Sequence, residues 1–200
     1  SKYNQLKNII SYNNNRGIYI ERSFGNMLFY INSSYNNDDG IHVTDSNNTQ
    51  LLHINASNNV EEGLSVGGLK NYMYDITVND NNGNGVYVSG PENTLSNIFA
   101  NNNAWYGIQL SGSFNTLSNI NTNDNTKHGI YFDYSDNNTL SNIEATDNSG
   151  SGIYVYHSNK NEISHVNASF NSEGGVYLAY SNNNTLTSIV SSHSTGDGIY

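Results

Sequence analysis

The sequence predicts an all-β fold, a right-handed parallel β-helix wound as a solenoid of about nine coils of 22–23 residues, with residues 1–200 forming one domain. Three observations predict it. A Gly followed by a branched aliphatic residue returns at Gly17-Ile18, Gly40-Ile41, Gly63-Leu64, Gly85-Val86, Gly107-Ile108, Gly129-Ile130, Gly152-Ile153, Gly175-Val176 and Gly198-Ile199, in steps of 22 or 23 residues. A Leu-x-x-Ile unit keeps the same period, and Asn residues mark the places between the two. One supersecondary unit per repeat, each covering the apolar face of the next, is the physical meaning of such a period.

Composition agrees. The chain has 40 Asn, 18 Gly, 16 Tyr and one Pro in 200 residues, so helices are disfavoured. Asn competes for backbone hydrogen bonds and Gly carries a large entropic cost in a helix, whereas Tyr, Ile, Val and Thr suit a pleated surface.

Within Gly-Ile-Tyr-Val the alternation has period two, so Ile and Val point inward and the residue between them points out. The inward pair repeats from Ile18 and Ile20 to Val176 and Leu178. The second unit runs from Leu6 and Ile9 to Leu186 and Ile189, and its three-residue spacing implies a bend or bulge inside the strand. Asn13, Asn36, Asn59, Asn81, Asn103, Asn125, Asn148 and Asn171 stand four residues before the Gly column, with Ser194 closing the series. A second series, from Asn4 and Asn26 through Asn71 to Asn184, precedes the Leu column and is interrupted by Thr49. Asn tolerates the left-handed corner conformation, and stacked amides can bond from coil to coil.

Ser113–Ile120, Ser135–Ile143 and Gly129-Ile130-Tyr131 resemble the repeats of NosD-type and related parallel β-helix surface proteins of archaea and bacteria. The resemblance covers the whole chain and implies the fold. It implies little about activity, since pectate lyases, polygalacturonases, phage tailspikes and adhesins use the same scaffold.

Seven Lys and Arg against 17 Asp and Glu leave a formal charge of −10, with nothing to neutralise a phosphate backbone, so nucleic acid is not an expected partner. Cysteine is absent, which removes disulfides and thiolate metal sites. No apolar run is long enough to span a bilayer, so membrane insertion is not expected.

Four features carry candidate chemistry. Asp38 and Asp39 lie one repeat below Glu61 and Glu62, so coil spacing of about 4.8 Å would bring four carboxylates together, as acid and base or as a possible calcium site, no cofactor being otherwise expected. Arg16, one coil earlier, is placed to neutralise Asp39. Asp38-Asp39-Gly40-Ile41 resembles the paired-aspartate motif of polygalacturonases, but the rest of that family's residues are absent. The histidines at 42, 53, 128, 157, 165 and 193 do not converge in the repeat and read as isolated surface residues. Outward positions carry Tyr131, Tyr154, Tyr177 and Tyr200, widened by Tyr134, Tyr156 and Tyr180, a ladder suited to sheet packing or to stacking on glycan. Asn32, Asn47, Asn55, Asn137, Asn167 and Asn183 begin N-glycosylation sequons.

Two functions follow. The first is a non-catalytic extracellular or cell-surface module, structural or adhesive, that associates end to end or laterally and contacts glycan through its tyrosines. The second is a polysaccharide-degrading lyase or glycoside hydrolase with Asp38, Asp39, Glu61 and Glu62 as its acids. The 1–200 chain is expected to be a segment of a longer β-helix or of an end-to-end assembly, because neither end shows a polar cap.

Overall fold

A computed structural model describes residues 1–200 and contains no helix. Nine longer strands, Gln5–Ser11, Met27–Ser33, Gln50–Asn55, Tyr72–Thr77, Thr94–Phe99, Thr116–Asn121, Thr139–Glu144, Glu162–Asn167 and Thr185–Val190, form one parallel sheet in sequence order. Eight shorter strands, Ile18–Glu21, Ile41–Thr44, Leu64–Val66, Val86–Val88, Ile108–Leu110, Ile130–Asp133, Ile153–Tyr156 and Val176–Ala179, form the other. Each full coil therefore contributes one long and one short strand, as the two sequence landmarks require. Pairing is in register with the repeat: Leu117 faces Leu95 and Leu140, and Ile130 faces Ile108 and Ile153. No helix is long and apolar enough to cross a membrane.

The expected bend inside Leu-x-x-Ile is present and has one cause. Its third residue, among them Tyr30, His53, Asp75, Asn97, Asn119, Asn142 and His165, adopts a left-handed backbone with φ between 54° and 58°. That reversal drops the residue out of the ladder, so Leu and Ile both turn inward although they stand three apart. All four aliphatic columns enter a single cluster of 33 buried residues, from Leu28 and Ile41 to Val166 and Val176.

A column of small residues completes the interior, and the two landmarks do not announce it. Ser33, Ala56, Val78, Ala100, Thr122, Ala145 and Ala168 lie buried beside the Gly column. A Cβ built on Gly85 would stand 2.6 Å from the carbonyl oxygen of Gly107 and 2.9 Å from the Ala100 Cβ. Gly is required there by close approach, because its φ is not left-handed.

The Asn columns are ladders, with two corrections. In the ladder before the Gly column each carboxamide oxygen from Asn59 onward accepts both the backbone N–H and the Nδ2–H of the Asn one coil below; at Asn103, Asn125 Oδ1 receives them at 2.9 and 3.1 Å, whereas in the other ladder the Nδ2–H of Asn71, Asn93 and Asn115 turns to backbone carbonyl oxygens. The same pairing runs from Asn36 to Asn171. The first coil contributes Asn14, whose N–H bonds Asn36 Oδ1, in place of the expected Asn13. The corner between ladder Asn and Gly is one residue shorter in the first coil than in those that follow, which moves the alignment. The left-handed residue is also not the ladder Asn but the one before it, such as Tyr35, Asn58, Asp80 and Asn102. Corner strain and amide stacking are thus carried by neighbouring residues.

Candidate active site

The short-strand sheet and the corner leading into it place two columns side by side. Immediately before Gly stand Arg16, Asp39, Glu62, Asn84, Tyr106 and His128; outward on the strand stand Tyr19, His42, Ser65, Tyr87, Gln109 and Tyr131. The pairs line one strip along the solenoid. Its lower part is acidic and its upper part aromatic.

In the acidic part the buried Asp39 carboxylate is held by two neighbours. Its Oδ1 accepts the Glu62 backbone N–H at 3.1 Å, and its Oδ2 lies 2.5 Å from His42 Nδ1. With Nδ1–H donated to Asp39, the lone pair of His42 sits on Nε2. Glu62 receives Asn84 Nδ2–H at 3.1 Å, and the same nitrogen lies 3.2 Å from Gln109 Oε1. Burial first, then the Asp39 charge and a hydrogen bond with it, pushes the Glu62 carboxyl up to about 7. An open groove of about 500 Å³ is lined by Asp39, His42 and Glu62 together with Asn15, Asn37, Asp38, Glu61, Ser65 and Tyr87.

The four expected carboxylates are neighbours in register but do not act as one set. Arg16 pairs with Asp38, Nε to Oδ2 at 2.9 Å, and not with Asp39. Asp39 is committed to His42, and Glu61 is exposed. No group of three or more His, Asp or Glu side chains converges as a metal requires, so the calcium expected at Asp38, Asp39, Glu61 and Glu62 has no ligand set.

His42 is the residue that sequence reasoning missed. The signal was available: the position before Gly and the outward position three residues later flank the same corner, so Asp39 and His42 meet. His53 is not isolated either, since its Nδ1 lies 2.6 Å from Asp75 Oδ2. His128 is largely buried, and its Nδ1 accepts the Ser151 N–H at 2.8 Å, which puts the ring proton on Nε2. Burial pulls its pKa down to about 4 despite the nearby Glu173 carboxylate.

The tyrosine ladder is present but ordered differently. Tyr106, His128, Tyr154, Tyr177 and Tyr200 form one stack, with successive centroids 5.6, 4.6, 4.9 and 4.4 Å apart and planes within 14° of parallel. Tyr131 leans against it, 5.8 Å from Tyr154 at 46°. Tyr134, His157 and Tyr180 form a second stack with Tyr156 edge-on to each. Within each stack the inner rings cover one another's faces, whereas Tyr131 and Tyr156 stand tilted or edge-on to their neighbours. Of the sequon residues, Asn32, Asn55, Asn167 and Asn183 are exposed, Asn137 is half-buried, and Asn47 is engaged by the Leu69 N–H at 2.9 Å.

The family described as "right handed beta helix region" matches residues 106–200. No curated protein sequence matches the chain. Among solved structures, the periplasmic alginate epimerase AlgG superposes with a TM-score of 0.81 at 16% identity, covering 89% of this chain and 48% of that one. The mannuronan C-5 epimerase AlgE4 A-module of Azotobacter vinelandii gives 0.62 at 13% identity, over 97% of this chain and 81% of that one. Tailspike protein 2 of the Escherichia coli O157:H7 bacteriophage CAB120 gives 0.66 at 11% identity, over 92% and 35%. The chain spans about half the length of AlgG and a third of the tailspike. At these identities the likeness is one of fold, and the chain is a parallel β-helix of the architecture these proteins share.

Proposed function

We propose that this chain acts on polysaccharide outside the cytoplasm, cleaving glycosidic bonds by general acid–base chemistry at the Asp39–His42–Glu62 corner. One observation carries the reading: a histidine oriented by a buried aspartate shares an open groove with a glutamic acid whose pKa lies near 7. Asp39 holds the His42 tautomer that leaves Nε2 free as a base for water. Glu62, positioned by Asn84, is about half protonated at neutral pH, and its protonated form delivers the proton to the departing glycosidic oxygen. The groove's lining runs over four successive coils, from Asn15 to Tyr87, which suits a chain rather than a small molecule. Structural neighbours that are epimerases of alginate or mannuronan, or phage tailspikes, support a carbohydrate-directed role. The adhesive reading has less support, because the inner tyrosines of the two stacks cover one another's faces.

A panel of neutral, amino and acidic polysaccharides tests this by release of reducing ends. Asp39→Asn, His42→Gln and Glu62→Gln should each lower the rate by roughly 10²–10⁴-fold. The wild-type rate should fall as pH rises through about 7, where Glu62 loses its proton. No cleavage of any substrate, or full activity in all three variants, would overturn the proposal.

A further inference from the structure

The charge along the strip bears on the substrate class, an inference that rests on the proposed carbohydrate-directed role. The acidic groove contains no Lys or Arg. A second groove at the far end, between Tyr154, Tyr177 and Tyr200, has Glu173 and Asp197 as its only charged residues. The two cations of the strip are engaged: Arg16 by Asp38 at 2.9 Å, and Lys127 by the Trp105 ring, 3.8 Å from its centroid.

We propose that the strip selects glycans bearing ammonium groups and rejects polyuronates. A linear glycan lying along it meets carboxylates at both ends and no free cation between them. Each uronate would therefore meet the exposed, unpaired Glu61 at one end and Glu173 and Asp197 at the other with no free cation to offset them, whereas an ammonium group gains a carboxylate partner. The tyrosine hydroxyls feel the same field: after burial, the charges of Asp133 and Glu173 raise the Tyr106 pKa. Cleavage of such a glycan is hydrolytic, since it offers no carboxyl group to acidify a ring proton for elimination.

The test is calorimetric titration of the intact chain with three short probes: a glucosamine oligosaccharide, its N-acetylated counterpart and an oligogalacturonate. At low ionic strength the glucosamine oligomer should bind at least about tenfold tighter than the acetylated one, and the oligogalacturonate should not bind. Salt at roughly 0.5 M should close the gap. Neutralising the strip by Glu61→Gln and Glu173→Gln should reduce the preference, while Glu144→Gln and Glu162→Gln, on the opposite sheet, should leave it intact. Equal loss in both pairs would mean adsorption to overall negative charge and would overturn the proposal. So would oligogalacturonate binding as tight as the amine. If the binding order holds but no probe is cleaved, the proposed activity fails and the selectivity stands. Cleavage of a polyuronate does the reverse, overturning the selectivity and leaving the activity in place.

Discussion

The same strip of the solenoid is acidic at Asp39 and Glu62 and aromatic at Tyr106, His128 and Tyr154, and burial moves the titrating group of each level in opposite directions. Glu62 is lifted to about 7 and His128 is lowered to about 4, so at neutral pH His128 is uncharged and Glu62 is about half protonated. Desolvation disfavours whichever form is charged, so an acid rises and a base falls. What differs is the next partner. Asp39 adds a negative charge that reinforces the shift of Glu62, whereas Glu173 opposes the shift of His128 and is outweighed by burial. Burial at a shared backbone position raises the pKa of an acid at one level and lowers that of a base at the other.

The largest expected effect separates the two levels by pH. His128 has a folded pKa below its unfolded value near 6.5, so its contribution is complete above 6.5 and is lost as pH falls through about 4. At full extent that loss is on the order of 3 kcal/mol. Thermal unfolding from about pH 8 to about pH 3.5 should show the fall, and His128→Gln, which keeps an acceptor for the Ser151 N–H, should flatten it. An unchanged acid limb in the variant would mean that His128 is not held neutral.

Glu62 should show the opposite sign with a smaller effect, since its side chain is partly open to solvent screening. Its folded pKa is raised, so its contribution is present below the unfolded value of 4.5 and is lost as pH rises through about 7. Glu62→Gln should leave stability at about pH 5 nearly unchanged and raise the melting temperature at about pH 8. A variant less stable than wild type on the alkaline side would show that the ionised Glu62 is well accommodated.

Much of this contrast is legible in the repeat alone. The Gly and Leu periods fix both sheets and the inward columns, and the register that places Glu62 above Asp39 follows from counting. Residue numbers do not show which neighbour a long side chain reaches. Arg16 bonds Asp38 although the column places it under Asp39, at the corner that is one residue shorter in the first coil, where Asn14 likewise aligns with Asn36. His42 is hidden from a coil-by-coil comparison of columns, because its partner lies across the corner in the same coil. The aromatic face is visible in the sequence, but ring orientation is not, and orientation decides whether a tyrosine offers a face or an edge. The shift from Asn13 to Asn14 arises where one corner differs in length by a single residue, below what a mean period resolves.

The smallest effect concerns the interior and removes a confounding difference between the two levels. Around His128 both Asn ladders are continuous, whereas below Glu62 the second ladder breaks at Thr49. Asn4 bonds Asn26 Oδ1, and Thr49 N–H bonds Asn71 Oδ1, but between them the buried Asn26 Nδ2 and Thr49 Oγ1 lack partners. A Thr cannot present a carboxamide oxygen at the height where the ladder requires one. Thr49→Asn should supply it, satisfy Asn26 Nδ2 and add about 1 kcal/mol, the net worth of an ordinary internal hydrogen bond plus relief of an orphaned donor. Native-state hydrogen exchange at the amides of Asn26, Thr49 and Asn71 would register the gain locally, with little change beyond Asn115. If exchange near the acidic corner then matches the aromatic coils at mildly acidic pH, the ladder break accounts for their difference there. If the acidic coils still open more readily once the ladder is whole, the cause is the buried Asp39–Glu62 pair itself.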